Sequence, residues 1–126
     1  MPRFVILEHT TAGGVHWDFM LEDGPALRTW SLEQPPEPGR PISAHQLPPH
    51  RLVYLEYEGP ISGGRGSVRA WDKGTFESPT GLQGESICLR VEGSRLIGTV
   101  RLETKNPAEG KWVFFWEGFQ PPAESK

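Results

Sequence analysis

Hydrophobic residues in this chain fall in short runs that alternate with polar ones, and glycine or proline bounds almost every run. Alternation with a period of two sends neighbouring side chains to opposite faces of an extended backbone. Its recurrence between turn residues predicts strands at 3–8, 15–22, 27–32, 51–57, 66–72, 86–92, 95–102 and 111–117. The run Arg95-Leu96-Ile97-Gly98-Thr99-Val100-Arg101-Leu102 shows the alternation most clearly. No window carries a 3.6-residue period long enough for a helix. Glu22-Asp23-Gly24 and Val91-Glu92-Gly93-Ser94 read as hairpin turns, since glycine supplies the positive φ such turns require. The expected fold is all-β, a single antiparallel β-barrel of about eight strands.

One segment breaks the pattern. Residues 33–49 carry Pro35, Pro36, Pro38, Pro41, Pro48 and Pro49. Proline lacks the N–H that a central strand must donate, so the expectation is a long extended loop, placed over the functional site because it delivers the chain to His50. Residues 1–120 are expected to form the domain and residues 121–126 a polar tail.

A chain of 126 residues suffices for one core but not two. With 36% hydrophobic and 23% charged residues it reads as a soluble globular chain, and no apolar run approaches a membrane span. The N-terminus lacks the apolar stretch of a secretory signal, so a cytoplasmic location is expected. Cys88 is the only cysteine, which rules out an internal disulfide and a thiolate metal cluster. A net charge of −3 argues against broad non-specific nucleic-acid binding, although it leaves room for a local basic pocket.

Candidate chemistry concentrates near the N-terminus. In an extended 15–22 segment, His16, Asp18, Met20 and Glu22 share one face, while Trp17, Phe19 and Leu21 share the other. Should the run Phe4-Val5-Ile6-Leu7 pair with that strand, His9 at its end would join His16 and Asp18. Two imidazoles and a carboxylate suit Mn²⁺, Zn²⁺ or Fe²⁺ and leave coordination positions open. The same spacing also fits a hydrogen-bonded polar pair on a solvent face, and spacing alone leaves both readings open.

Further along, His50 and Tyr54 lie four apart and would share one face of an extended segment, where an imidazole and a phenol can hold a phosphate oxygen or move a proton. Arg51, Arg65 and Arg40 are candidates for phosphate contact, because guanidinium matches phosphate oxygens in a bidentate fashion. Gly63-Gly64-Arg65-Gly66 reads either as an anion-binding nest or as a tight hairpin. Most of the five tryptophans are expected in the core, and His45 and Glu22 at the surface.

Phe4-Val5-Ile6-Leu7-Glu8-His9, Val15-His16-Trp17-Asp18-Phe19-Met20-Leu21-Glu22, Leu27-Arg28-Thr29-Trp30-Ser31-Leu32, the run from His50 to Gly59, and Trp71-Asp72-Lys73-Gly74-Thr75 occur in this order. In this the chain resembles the 3′-phosphoesterase domain of bacterial DNA ligase D and its free-standing relatives. The resemblance implies a metal-dependent phosphoesterase of DNA end repair that removes a 3′-terminal ribonucleoside, a 3′-phosphate, or both. It implies a divalent ion, most often Mn²⁺, on His9, His16 and Asp18, with His50 and Tyr54 acting on the phosphate; Arg51 is expected to join them on guanidinium chemistry alone. Nucleic-acid 3′ ends would be the partners, alongside a DNA ligase or polymerase. The alternative is a catalytically silent domain that binds DNA ends or a repair partner. Met20 stands where the ligase-associated domains carry an arginine, and Gln34 where they carry a lysine; Pro48-Pro49 replaces an acidic pair. Arg51, Arg28 and Arg65 are the residues that could restore the missing charge.

Overall fold

The computed structural model describes residues 1–118, so the tail expected at 121–126 lies outside the described residues. Nine strands form one antiparallel sheet: β1 (Arg3–Thr11), β2 (Gly14–Asp23), β3 (Ala26–Leu32), β4 (Ile42–Arg51), β5 (Gly59–Pro60), β6 (Ser67–Glu77), β7 (Ser86–Gly93), β8 (Ile97–Asn106) and β9 (Lys111–Gly118). Their order is β1-β2-β3-β4-β9-β8-β7-β6-β5, and a further β1–β6 pairing closes eight of them into a barrel. The expected all-β barrel is the fold. No α-helix occurs among the described residues.

Alternation explains the interior. Phe4 and Ile6, Phe19 and Leu21, Trp30 and Leu32, Ile87, Leu89 and Val91, Val100 and Leu102, and Trp112, Phe114 and Trp116 join one buried cluster. These residues keep the period-two spacing of their strands, as side chains pointing into one barrel must. Phe19 meets Phe114 edge to face, and Trp30 meets Trp112 in the same way. Trp17 and Trp71 pack against this cluster. The tryptophans are therefore wall and core, as expected.

The outer face of β1 and β2 is not open to solvent either. Val5, Leu7, Met20, Leu27, Leu55 and Val68 form a second buried cluster, with Tyr54, Tyr57, Ile61 and Ala70 packed against it. Its cover comes from the 3₁₀ turn Leu52–Leu55 and from β5, which pairs with the first two residues of β6. Both faces of the N-terminal hairpin are thus buried, unlike the half-exposed strand that alternation suggests.

Two expectations at this cover need correcting. Residues 42–49, read as part of a proline-rich loop, belong to β4, which pairs with β3 on one side and β9 on the other. The prolines are accommodated because β4 bonds β9 only at Ile42 to His45, so Pro48 and Pro49 have no second partner strand there. What remains of the loop lies against β9, where Gly39 N–H donates to the Trp116 carbonyl. Conversely, the strand expected at 51–57 is absent. β4 ends at Arg51 and the chain coils through Leu52–Leu55, burying Leu55 and leaving Val53 exposed.

Asp72 fixes the opposite wall. It is buried, and its carboxylate accepts the backbone N–H groups of Ser94, Arg95 and Leu96, closing the β7–β8 turn. Gly74 and Gly93 allow that closeness: a Cβ on Gly74 would stand 2.1 Å from the Glu92 carbonyl oxygen. The Trp71-Asp72-Lys73-Gly74 stretch is therefore architectural.

Candidate metal centre

The β1–β2 register sets His9 directly opposite His16 and Leu7 opposite Asp18. By strand parity Val5, Leu7 and His9 share the outer face of β1, and His16, Asp18 and Met20 that of β2. The three polar groups consequently meet outside the barrel, under the cover supplied by residues 47–68. His9 Nδ1 lies 3.0 Å from His16 Nε2 and 3.5 Å from Asp18 Oδ2, while His16 Nε2 lies 3.2 Å from Asp18 Oδ1.

These spacings fit a cation. Three ligands about 2.1 Å from one ion stand about 3.0 Å apart at octahedral angles and about 3.4 Å at tetrahedral angles. The donor set, two imidazoles and one carboxylate, is that of open transition-metal sites. Asp18 is 3% exposed and its Oδ1 has no hydrogen-bond partner of proper geometry, a costly state for a buried carboxylate unless a cation or proton satisfies it.

The neighbouring backbone fixes ring orientation. His9 Nε2 lies 2.7 Å from the Arg65 carbonyl oxygen. A carbonyl only accepts, so His9 carries its proton on Nε2 and turns the Nδ1 lone pair towards His16 and Asp18. For His16, contact with the Asp18 carboxylate raises the imidazole above its ordinary value of 6.5, against the opposing effect of burial.

A cavity of about 150 Å³ opens on His9, His16 and Asp18. Its walls include Leu7, Met20, Leu47 and Val68, together with His50, Tyr54 and Arg65. His50 and Tyr54 therefore converge on the site as expected, but across the β4 end and the 3₁₀ turn rather than along one strand; their rings lie 5.9 Å apart at 68°. His50 Nδ1 donates to the Pro48 carbonyl at 2.9 Å, which leaves Nε2 as its available nitrogen.

Of the candidate arginines, only Arg65 reaches this cavity. Its guanidinium bonds back to Ser62, with Nε donating to the carbonyl at 2.8 Å. Arg51 instead lines an adjoining recess. Arg28 donates to the Leu82 carbonyl, and Arg40 pairs with Glu37 and Gln34. Glu22 is tied to Arg3, and His45 is exposed on β4.

Gly63-Gly64-Arg65-Gly66 turns out to be the hairpin between β5 and β6, with Ile61 N–H donating to the Gly66 carbonyl. A Cβ on Gly66 would stand 1.9 Å from the Thr10 carbonyl oxygen, so only glycine lets this hairpin lie against β1 and present Arg65 to His9.

Sequence comparison adds to this geometry. The family described as the DNA Ligase D 3′-phosphoesterase domain matches residues 8–104, a span that contains His9, His16 and Asp18 as well as His50, Tyr54 and Arg65. The chain belongs to the DNA ligase D 3′-phosphoesterase domain family. A relative, the multifunctional non-homologous end joining protein LigD of Pseudomonas aeruginosa, is 29% identical over an alignment covering 82% of this chain. The chain spans only 13% of that protein's length. The description of the DNA ligase D 3′-phosphoesterase family names 3′-phosphoesterase chemistry.

Sequence reading missed the apolar members of this site. Leu47, Ile61 and Val68 escape notice because they carry no chemistry of their own. A usable signal lies in β1: Val5 and Leu7 are outward by the same parity as His9, and two such residues require a cover.

Proposed function

We propose that this protein hydrolyses phosphoesters at the 3′ ends of nucleic-acid strands, using a divalent ion, Mn²⁺ by preference, held by His9, His16 and Asp18. One observation carries the reading: a cation-sized triad opens into a cavity that also gathers an imidazole, a phenol and a guanidinium, in a member of this phosphoesterase family. The bound ion supplies Lewis-acid charge to a phosphoryl oxygen. The protein's own groups do the rest. His9 and Asp18 hold the charge in a low-dielectric wall, and Arg65 offers its guanidinium to the anionic oxygens. His50, with Nδ1–H committed to Pro48, has Nε2 to hold a phosphate oxygen or, when protonated, to give its proton to the leaving oxygen. Tyr54 donates its hydroxyl to the same group. Leu7, Met20, Leu47 and Val68 exclude bulk water, which strengthens each of these contacts.

The test uses a primer ending in a 3′-phosphate and another ending in a 3′-ribonucleotide, each with Mn²⁺. Metal-dependent product that His9→Ala and Asp18→Ala both abolish supports the enzyme, and His50→Ala should cost at least about a hundredfold in rate. Binding of ends without turnover supports the silent end-binding domain instead.

A further inference from the structure

Beside the metal cavity lies a second recess, of about 410 Å³, lined by Arg51, Val53, Tyr54, Tyr57, Pro60, Ile61, Ser62 and Arg65. Tyr54, Ile61 and Arg65 belong to both cavities, so the two are continuous. The recess differs from the surrounding surface in three respects. It is bordered by two guanidiniums and by no carboxylate, in a chain whose net charge is −3. Arg51 has no hydrogen-bond or ion-pair partner among the described residues, whereas Arg3, Arg40, Arg69, Arg90 and Arg101 are each paired with glutamate. Its aromatic wall is held in place: Tyr57 donates its hydroxyl to the Pro60 carbonyl and stands at 87° to Tyr54, 6.0 Å away. Val53, 55% exposed, adds apolar surface at the rim.

We infer that this recess binds the nucleotide that carries the reacting 3′-phosphoester, with its base and sugar against Tyr57 and Val53 and its 5′-side phosphate on Arg51. The inference rests on the end-processing reading and adds to it a strand-specific subsite. Continuity with the metal cavity places an occupant next to the reacting group. The volume lies within the range that small organic ligands fill, and aromatic walls accept any base because every base has a flat π-face. A guanidinium without a protein partner suits a phosphodiester, which supplies paired acceptor oxygens. Mononucleotides lacking the 5′-side phosphate would forfeit the Arg51 contact and bind less well.

The experiment measures affinity of a 5′-labelled short single strand bearing a 3′-phosphate, by fluorescence anisotropy across a salt series. The native chain is compared with Arg51→Ala, Arg51→Lys and, as a control for total charge, Arg90→Ala; turnover with Mn²⁺ is followed in parallel. Arg51→Ala is expected to weaken binding about tenfold and to reduce the slope of log affinity against log salt by about 0.7. Arg51→Lys should restore the slope but only part of the affinity, and Arg90→Ala should change neither. Hydrolysis of a small aryl phosphate, which has no 5′-side phosphate, should fall less in Arg51→Ala than processing of the oligonucleotide does. If Arg51→Ala matches the native chain in affinity and slope while the oligonucleotide is still processed, the recess is overturned and the end-processing reading stands. Loss of affinity and slope without turnover in the native chain supports the recess and overturns processing. A native chain with no affinity for the strand overturns both.

Discussion

Asp18 illustrates what burial demands of a single residue. Its carboxylate is almost removed from solvent yet one oxygen lacks a proper donor, so the group is poised for a cation. Asp18→Asn should therefore abolish Mn²⁺ binding in a calorimetric titration while leaving the metal-free fold intact. His16 gives a pH dependence with two opposite signs. Its folded pKa is raised, so its protonation stabilises the metal-free protein below the unfolded value of 6.5, and that contribution is lost as pH rises through the folded pKa. Metal requires the neutral ring, so affinity for Mn²⁺ should rise between about pH 6 and about pH 8. Titrations across that range check this, and an affinity independent of pH would remove His16 from the ligand set. Met20 stands where the resemblance leads to the expectation of an arginine. It is buried against Leu7 and Val68, leaving Arg65 as the arginine at the cavity. Restoring arginine there adds a contact worth up to roughly 3 kcal/mol in the transition state. Met20→Arg should accordingly raise kcat on a 3′-phosphorylated primer, with thermal melting as the companion measurement that reports the cost of burying the charge.

Strands were legible where alternation and bounding glycines agreed, which accounts for β1–β3 and β6–β9. The failures cluster in residues 42–60, for identifiable reasons. Proline counts argued against β4, but a strand end with no second neighbour tolerates proline. Leu52-Val53-Tyr54-Leu55 has the composition of a strand, yet coils because Leu55 fills the outer cluster over Val5 and Leu7. That choice belongs to tertiary packing and leaves no local trace. His50 and Tyr54 nevertheless reached the cavity, since spacing of four brings two side chains to a similar place in a compact turn as in a strand. Asp72 was legible only as part of a motif; its three N–H contacts depend on a turn more than twenty residues away. Asp72→Ala leaves those donors without their partner and should destabilise the protein by about 3 kcal/mol, visible as a melting temperature lower by roughly 10 °C. Gly66→Ala should act on function through structure: the hairpin must retreat from Thr10, His9 loses the Arg65 carbonyl, and Mn²⁺ affinity falls by about tenfold or more.

For the molecule as a whole, composition and alternation anticipated one closed sheet, while the position of the cleft on its outer surface followed from a cover that they did not reveal. Because the triad is built on the folded hairpin, ligand binding and stability are linked. Mn²⁺ at a hundred times its dissociation constant should stabilise the native chain by about 2.7 kcal/mol, a rise in melting temperature that a chelator reverses and that His9→Ala lacks. The β1–β6 seam carries a further consequence for biosynthesis. It joins Arg3 to Thr75 and Thr10 to Ser67, so synthesis must pass Ser67 before the first strand gains its second neighbour. During that interval the nascent hairpin can already fold and pair His9 with His16, but its other flank offers unbonded backbone to any strand nearby. Crowded polysomes thus expose this flank to mispairing between neighbouring chains until the cylinder closes.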